Sequence, residues 1–195
     1  AGQTNSLRYQ TQVRLDRTFV GKSSISDATH TKVYDVARVF IGEKEGYTIR
    51  HPFCGTSQLS DFNMAAANTT GAHEGNFADP ILFVTKKNPK VLERLTQWLA
   101  GLRQDAKLDG PMLLIDDEAD NASVNTNSDS KQATTINKHI RALLHTCKQS
   151  TYVGYTATPF ANIFVDPENE DEMENGELYR DLFPRDFILS LDPPD

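Results

Sequence analysis

Residues Pro111 to Asp120 read Pro-Met-Leu-Leu-Ile-Asp-Asp-Glu-Ala-Asp, and no other stretch constrains the fold as much. Four apolar residues, Met112 to Ile115, run without polar interruption and stop at four carboxylates within five positions. A run this short, entered through Gly110-Pro111, predicts a strand buried on both faces of a parallel sheet. Open α/β sheets bind ligands beyond the carboxyl ends of their strands, where Asp116, Asp117, Glu118 and Asp120 fall. Nucleotide hydrolysis has that layout. One carboxylate holds Mg²⁺, directly or through water, and its neighbour orients or deprotonates the water that attacks the γ-phosphate. The same stretch also reads as a strand that ends in a solvated acidic turn, so by itself it leaves both readings open.

The flanking sequence supplies partners for that strand. Ile81 to Thr85 is a second short apolar run, followed by Lys86-Lys87 and by Asn88-Pro89 as helix cap and first helical residue. Val91, Leu92, Leu95, Trp98, Leu99 and Leu102 recur at helical spacing and predict an amphipathic helix over 89–103. Beyond the carboxylates, Asn121 to Lys131 is a polar loop rich in Ser, Asn and Thr. Ile136, Ile140, Leu143, Leu144 and Cys147 then mark one face of a helix over 135–147, leading into a strand from Thr151 to Tyr155. Two β-α-β crossovers, 81–115 and 112–155, predict an α/β fold with the three strands parallel and adjacent in one sheet and helices on its faces. Lys86, Lys87 and the following helix N-terminus meet at the carboxyl edge of that sheet, a setting suited to a DNA phosphate. A solvated lysine pair beside an ordinary cap is the other reading.

The rest of the chain is less informative. Thr4 or Asn5 caps a helix from Leu7 to Leu15 whose apolar periodicity is poor. Phe19 to Ser24 contains Gly-Lys-Ser but lacks the upstream glycine of a phosphate loop and follows a helix, so it is a false match. Between 26 and 80, Val33, Val36, Ala37 and Phe40 have helical spacing, whereas residues 39–41 and 47–49 favour strands around a turn from Gly42 to Gly46. His51, Cys54 and His73 lack the paired spacing of a zinc site, and Asn68 to Asn76 is a polar loop. Asp166 to Glu177 carries seven acidic residues and reads as a solvated loop, with an acidic DNA mimic or a metal site as the other readings.

At 195 residues the chain is long enough for one substantial core. No apolar run approaches the ~20 residues that span a bilayer, and no basic-then-apolar leader is read at its start. Cys54 and Cys147 stand outside any paired motif and suit a reducing cytoplasm, the expected location. The net charge of −7 opposes a nucleic-acid partner at first sight, but it is unevenly placed. Residues 1–110 hold 14 Lys+Arg against 11 Asp+Glu, whereas residues 111–195 hold 6 against 16. A motor can grip the DNA backbone through helix N-termini and a few basic side chains without being basic as a whole.

Asp117-Glu118-Ala119-Asp120, followed by Thr156-Ala157-Thr158, resembles the Asp-Glu-Ala-Asp box and the Ser/Thr-Ala-Thr motif of superfamily-two helicases. The wider wording, Ile115 to Ser123, Tyr152 to Asn162 and Asp181 to Ile188, resembles the bacterial Z-one domain. That domain is the helicase-like part of proteins associated with restriction and other anti-phage systems. The resemblance implies a RecA-like parallel sheet flanked by helices, an incomplete P-loop NTPase lobe lacking the Walker A segment. Residues 1–165 would form the partial lobe, 166–180 an acidic loop, and 181–195 the start of a connection to a following lobe. Asp117 would be the Mg²⁺ ligand, with Asp116 beside it as the second carboxylate of the metal site or a structural group, and Glu118 would activate water. Asp120 would bond to Thr156 and Thr158 and couple nucleotide state to DNA. Leu7-Arg8-Tyr9-Gln10 is similar to the Leu-x-x-Gln of the helicase motif that touches the tracking strand, which nominates Arg8 and Gln10 for DNA, with Lys86 and Lys87.

The implied activity is DNA-dependent ATP hydrolysis in a longer parent protein, driving movement on double-stranded DNA beside a separate nuclease subunit or domain. This piece alone would be inactive, its phosphate loop lying upstream. Two other classes stay open. Asp116, Asp117 and Glu118 could hold Mg²⁺ in a metal-dependent endonuclease, although the Asp…Glu-x-Lys spacing of restriction nucleases is missing. A non-catalytic interaction module could keep the shape of the lobe alone.

Overall fold

The computed structural model describes residues 4–25, 52–68, 80–103, 106–121, 123, 131–158, 170–172 and 178–191. The candidate strands at 39–41 and 47–49, together with His51, His73 and most of the 121–131 loop, lie outside these residues.

Helix α1 runs from Asn5 to Leu15, capped by Thr4, whose hydroxyl accepts from the Leu7 amide at 3.3 Å. It passes into one π-helical turn, Asp16–Val20, closed by an amide of Gly21 donating to the Asp16 carbonyl at 2.9 Å. Gly21 has φ 81°, a conformation that costs glycine nothing. The buried positions here are Arg8, Gln12, Asp16 and Val20, four apart along one face. A mostly polar stripe faces inward, which is why hydropathy shows little period.

Strand β1 is Phe53–Cys54, and the short helix α2, Met64–Asn68, starts under Asn63, whose side chain accepts from the Ala65 and Ala66 amides. Strand β2 is Ile81–Leu82, parallel to β1 with Phe53 opposite Ile81. Helix α3, Pro89–Gly101, begins as its sequence dictates: the Asn88 carbonyl oxygen of the side chain accepts from Lys90 and Val91, and Pro89 takes the first turn. Strand β3, Met112–Asp117, helix α4, Lys131–His145, and strand β4, Ser150–Tyr155, complete one βαβ unit. β3 and β4 are parallel and in register from Met112–Ser150 to Asp117–Tyr155. Finally β5, Glu170–Glu172, pairs antiparallel with β6, Leu178–Arg180, so two pieces of the expected acidic loop, 166–180, are strands.

The core lies between α3, α4 and the inner face of β3–β4. Leu92, Leu95, Trp98 and Leu99 of α3 meet Ile136, Ile140 and Leu143 of α4, with Met112, Leu114 and Tyr152 packed against them. Phe62, Phe83 and Trp98 close one end, ring centroids 5.8–5.9 Å apart. The result is an α/β arrangement of helices and short parallel strands.

Two expectations are corrected. Residues 81–85 do not join β3 and β4 in one sheet; among the described residues every sheet has two strands. The main chain beyond β2 bonds to side chains instead. The Val84 amide donates to Thr56 Oγ1 at 2.8 Å, the Lys86 amide to Asp61 Oδ2 at 3.2 Å, and the Val84 carbonyl accepts from Arg8. Nor is β3 buried on both faces. Leu113 and Ile115 are 62% and 56% exposed, and Tyr155 on the same side of the sheet is 53% exposed, because α3 and α4 both pack on the opposite side. Among the described residues no helix is long and apolar enough to cross a membrane.

Candidate functional site

The acidic turn begins at the last inward-facing residue of β3. Asp116 is 4% exposed; its Oδ1 lies 2.9 Å from Lys87 Nζ, and its Oδ2 accepts from Tyr152 Oη at 2.9 Å. Burial, then the Asp116 charge, holds the Tyr152 phenol far above its ordinary range, so it stays a neutral donor. Lys87 also donates to the Glu118 and Asn121 carbonyls and to Ser123 Oγ. Both Asp116 oxygens are thus engaged within the protein, the arrangement expected of a structural carboxylate.

Beyond Asp116 the chain turns outward. Glu118 has φ 55°, the one positive φ among the described non-glycine residues, and its carbonyl accepts from the Asn121 amide at 2.9 Å. The Ala119 amide donates to the Tyr155 carbonyl at 2.9 Å and ties the turn to the end of β4. Asp117 and Glu118 are thereby exposed, with no side-chain hydrogen bond or ion pair among the described residues. Asp120 is clasped instead. Thr156 Oγ1 donates to its Oδ1 at 2.6 Å and Thr158 Oγ1 to its Oδ2, while the Thr158 amide donates to Thr156 Oγ1 at 2.9 Å. The hydrogen bonds from Thr156 and then Thr158 hold the Asp120 carboxyl below the usual carboxylate range.

Magnesium keeps several waters and is bound through one or two carboxylates with substrate phosphates. Two adjacent, exposed carboxylates, Asp117 and Glu118, fit that donor set. Among the described residues no group of three or more His, Cys, Asp or Glu side chains is gathered to hold a metal.

No protein-family model, no curated protein and no solved structure matches this chain.

The residues nominated for DNA differ in how far they are exposed. Arg8 is buried, its guanidinium donating to the carbonyls of Ser57 at 2.8 Å, Gln58 at 2.9 Å and Val84 at 3.5 Å. Lys87 is buried under the acidic turn. Both basic groups are occupied internally, because buried carbonyls and a buried carboxylate need donors there. Gln10 is exposed and Lys86 half-buried.

Sequence reasoning missed a buried polar network between α1 and the 55–58 loop. Gln12 Nε2 donates to Asp16 Oδ1 at 2.9 Å, Thr56 Oγ1 to Gln12 Oε1 at 2.8 Å, and Gln58 Nε2 to Asp16 Oδ2 at 2.8 Å. Ser24 adds its amide and hydroxyl to Asp16 Oδ2. The four-residue spacing of Arg8, Gln12 and Asp16 was the available signal. A second network holds Asn137, which donates to the Ser123 carbonyl and to Asp181 Oδ1, each at 2.8 Å.

Proposed function

We propose that this chain is part of the nucleotide-hydrolysing lobe of a DNA translocase of the Z-one kind, acting in a bacterial restriction or anti-phage system. The observation that carries this reading is the Asp120 carboxylate clasped by Thr156 and Thr158 beside the exposed Asp117 and Glu118. Asp117 would hold Mg²⁺ and Glu118 would orient the attacking water and accept its proton. Bound Mg²⁺ and ATP would supply the electrophilic phosphorus and offset the charge that develops on its oxygens. Asp120 and its threonines would pass the state of that site to the end of β4.

The parallel β3–β4 pair is then part of a RecA-like sheet, and the Leu113, Ile115 and Tyr155 side is the face that a doubly covered sheet buries. Gln10 and Lys86 are the nominated contacts that keep access for double-stranded DNA. A separate nuclease partner and a cytoplasmic location belong to the same reading. The engagement of Asp116 by Lys87 and Tyr152 weighs against a three-carboxylate endonuclease site.

The test is ATP hydrolysis by the protein that contains this chain, with and without duplex DNA. Glu118→Gln should abolish DNA-stimulated turnover while the Kd for ATP stays within about threefold. Wild-type turnover in that variant would overturn the proposal, and metal-dependent DNA cleavage without ATP would establish the nuclease in its place.

A further inference from the structure

Lys87 follows β2 and sends its side chain into the interior, where it is 7% exposed. The Asp116 carboxylate at 2.9 Å neutralises its charge. Its remaining protons face one short loop: the carbonyl of Glu118, the carbonyl of Asn121 at 3.1 Å and Ser123 Oγ at 3.2 Å. Ser123 is itself fully buried and fixed from the other side by Asn137. The Asp116 oxygen that Lys87 leaves is taken by Tyr152, so the anchor of the ammonium is held rigidly on β3 and β4.

This loop contains the one strained residue among those described. A glutamate at φ 55° persists only where its surroundings over-determine the backbone. Two donors do so here, Lys87 Nζ and the Asn121 amide, both on the Glu118 carbonyl. The carbonyl is held inward and the Glu118 carboxylate stands in solvent.

We propose that Lys87 is a positioning residue for Glu118: clamped by Asp116, its ammonium pins the Glu118 carbonyl and the loop to Ser123, so that the Glu118 carboxylate is presented at the end of β3. The pinning stands on the contacts alone; its consequence for turnover rests on the hydrolytic role of Glu118 proposed above.

A simple buried ion pair makes a different prediction. If Lys87 only neutralises Asp116, removing both charges together leaves the turn as it was. If it pins the loop, the Glu118 carbonyl is left with the Asn121 amide alone and the Asn121 carbonyl loses the lysine donor, even when the charges leave as a pair. The experiment therefore uses Lys87→Met and Lys87→Met/Asp116→Asn in the protein that contains this chain. Should Lys87→Met fail to fold, Lys87→Leu, which likewise removes both the donor and the charge, takes its place.

In the double variant, amide exchange at Ala119 and Asn121 should speed up by about tenfold or more, with protection inside β3 and β4 retained. With duplex DNA, kcat should fall about 10- to 100-fold while KM for ATP stays within about twofold. The salt dependence of DNA binding should not change, since no phosphate contact is lost. Wild-type exchange in the double variant overturns the proposal. So does a salt slope lowered by about one unit with kcat intact, which would make Lys87 a phosphate contact. Faster loop exchange in a protein whose wild type hydrolyses no nucleotide would sink the hydrolytic reading and uphold the pinning.

Discussion

Thr156 Oγ1 donates to Asp120 Oδ1 across 2.6 Å, joining the turn after β3 to the residue after β4 although 36 positions separate them. Thr158 takes the other oxygen. One carboxylate is thus shared by two strand ends. Replacing both threonines with alanine deletes hydrogen bonds of roughly 1 kcal/mol each but no contact to phosphate. In the protein that contains this chain, ATP binding should hold while DNA-stimulated turnover and triplex displacement fall. Equal loss of ATP binding and translocation would make the threonines a structural turn and nothing more.

The same two bonds set a pH dependence. They lower the Asp120 carboxyl in the folded state, so their stabilisation is present above the ordinary aspartate value of about 3.9 and is lost as pH falls through the lower folded value. A double change of Thr156 and Thr158 to valine should move the Asp120 carboxyl titration upward, as followed by carbon-13 NMR. An unmoved titration would mean the hydrogen bonds do not form in solution.

Gly154 is required by close approach, not by turn geometry. A methyl group there would meet Ala119 Cβ at 2.9 Å, inside ordinary contact, with Tyr152 Oη at 3.5 Å. Ala119 is fully buried and its amide is bonded to Tyr155, so the neighbour is backbone-fixed. Gly154→Ala should destabilise the chain by about 1–3 kcal/mol in urea unfolding, as overpacking does. A variant as stable as wild type would show that the turn yields freely.

Glu118 offers a separation of stability from activity. Its left-handed backbone costs about 1–2 kcal/mol, and glycine would remove that at an unfolded-state entropy cost of about 0.4–1 kcal/mol. Glu118→Gly should therefore match or slightly exceed wild-type thermal stability while abolishing ATP turnover. A fall of more than about 1 kcal/mol would mean that the side chain supports the turn.

How far the sequence could be read follows from the range of the interactions. α3 was legible from Asn88-Pro89 and from Leu92, Leu95 and Leu99, since capping and helical period are set within one or two turns. The helix expected over 135–147 starts earlier, at Lys131, and stops at His145, because polar residues at its start carry no hydropathy period. β3 and β4 were legible as short apolar runs and are parallel, as a helical crossover demands.

What the amino-acid order determined by itself was therefore local: where helices begin, which runs are strands, and that two threonines follow an acidic turn at one crossover's distance. Tertiary structure alone decided which of those residues are available to a ligand. Lys87 reads as a free surface lysine until Asp116, Glu118 and Ser123 arrive around it, and Arg8 until the carbonyls of Ser57 and Gln58 do. Leu113 reads as core until both helices settle on the opposite face of its strand. Periodicity reports how a side chain is spaced along its own element. Whether that side chain is satisfied inside or left to solvent depends on donors, acceptors and apolar surface about 30 to 50 positions away, because the cost of burying a charge is set by the partner that meets it.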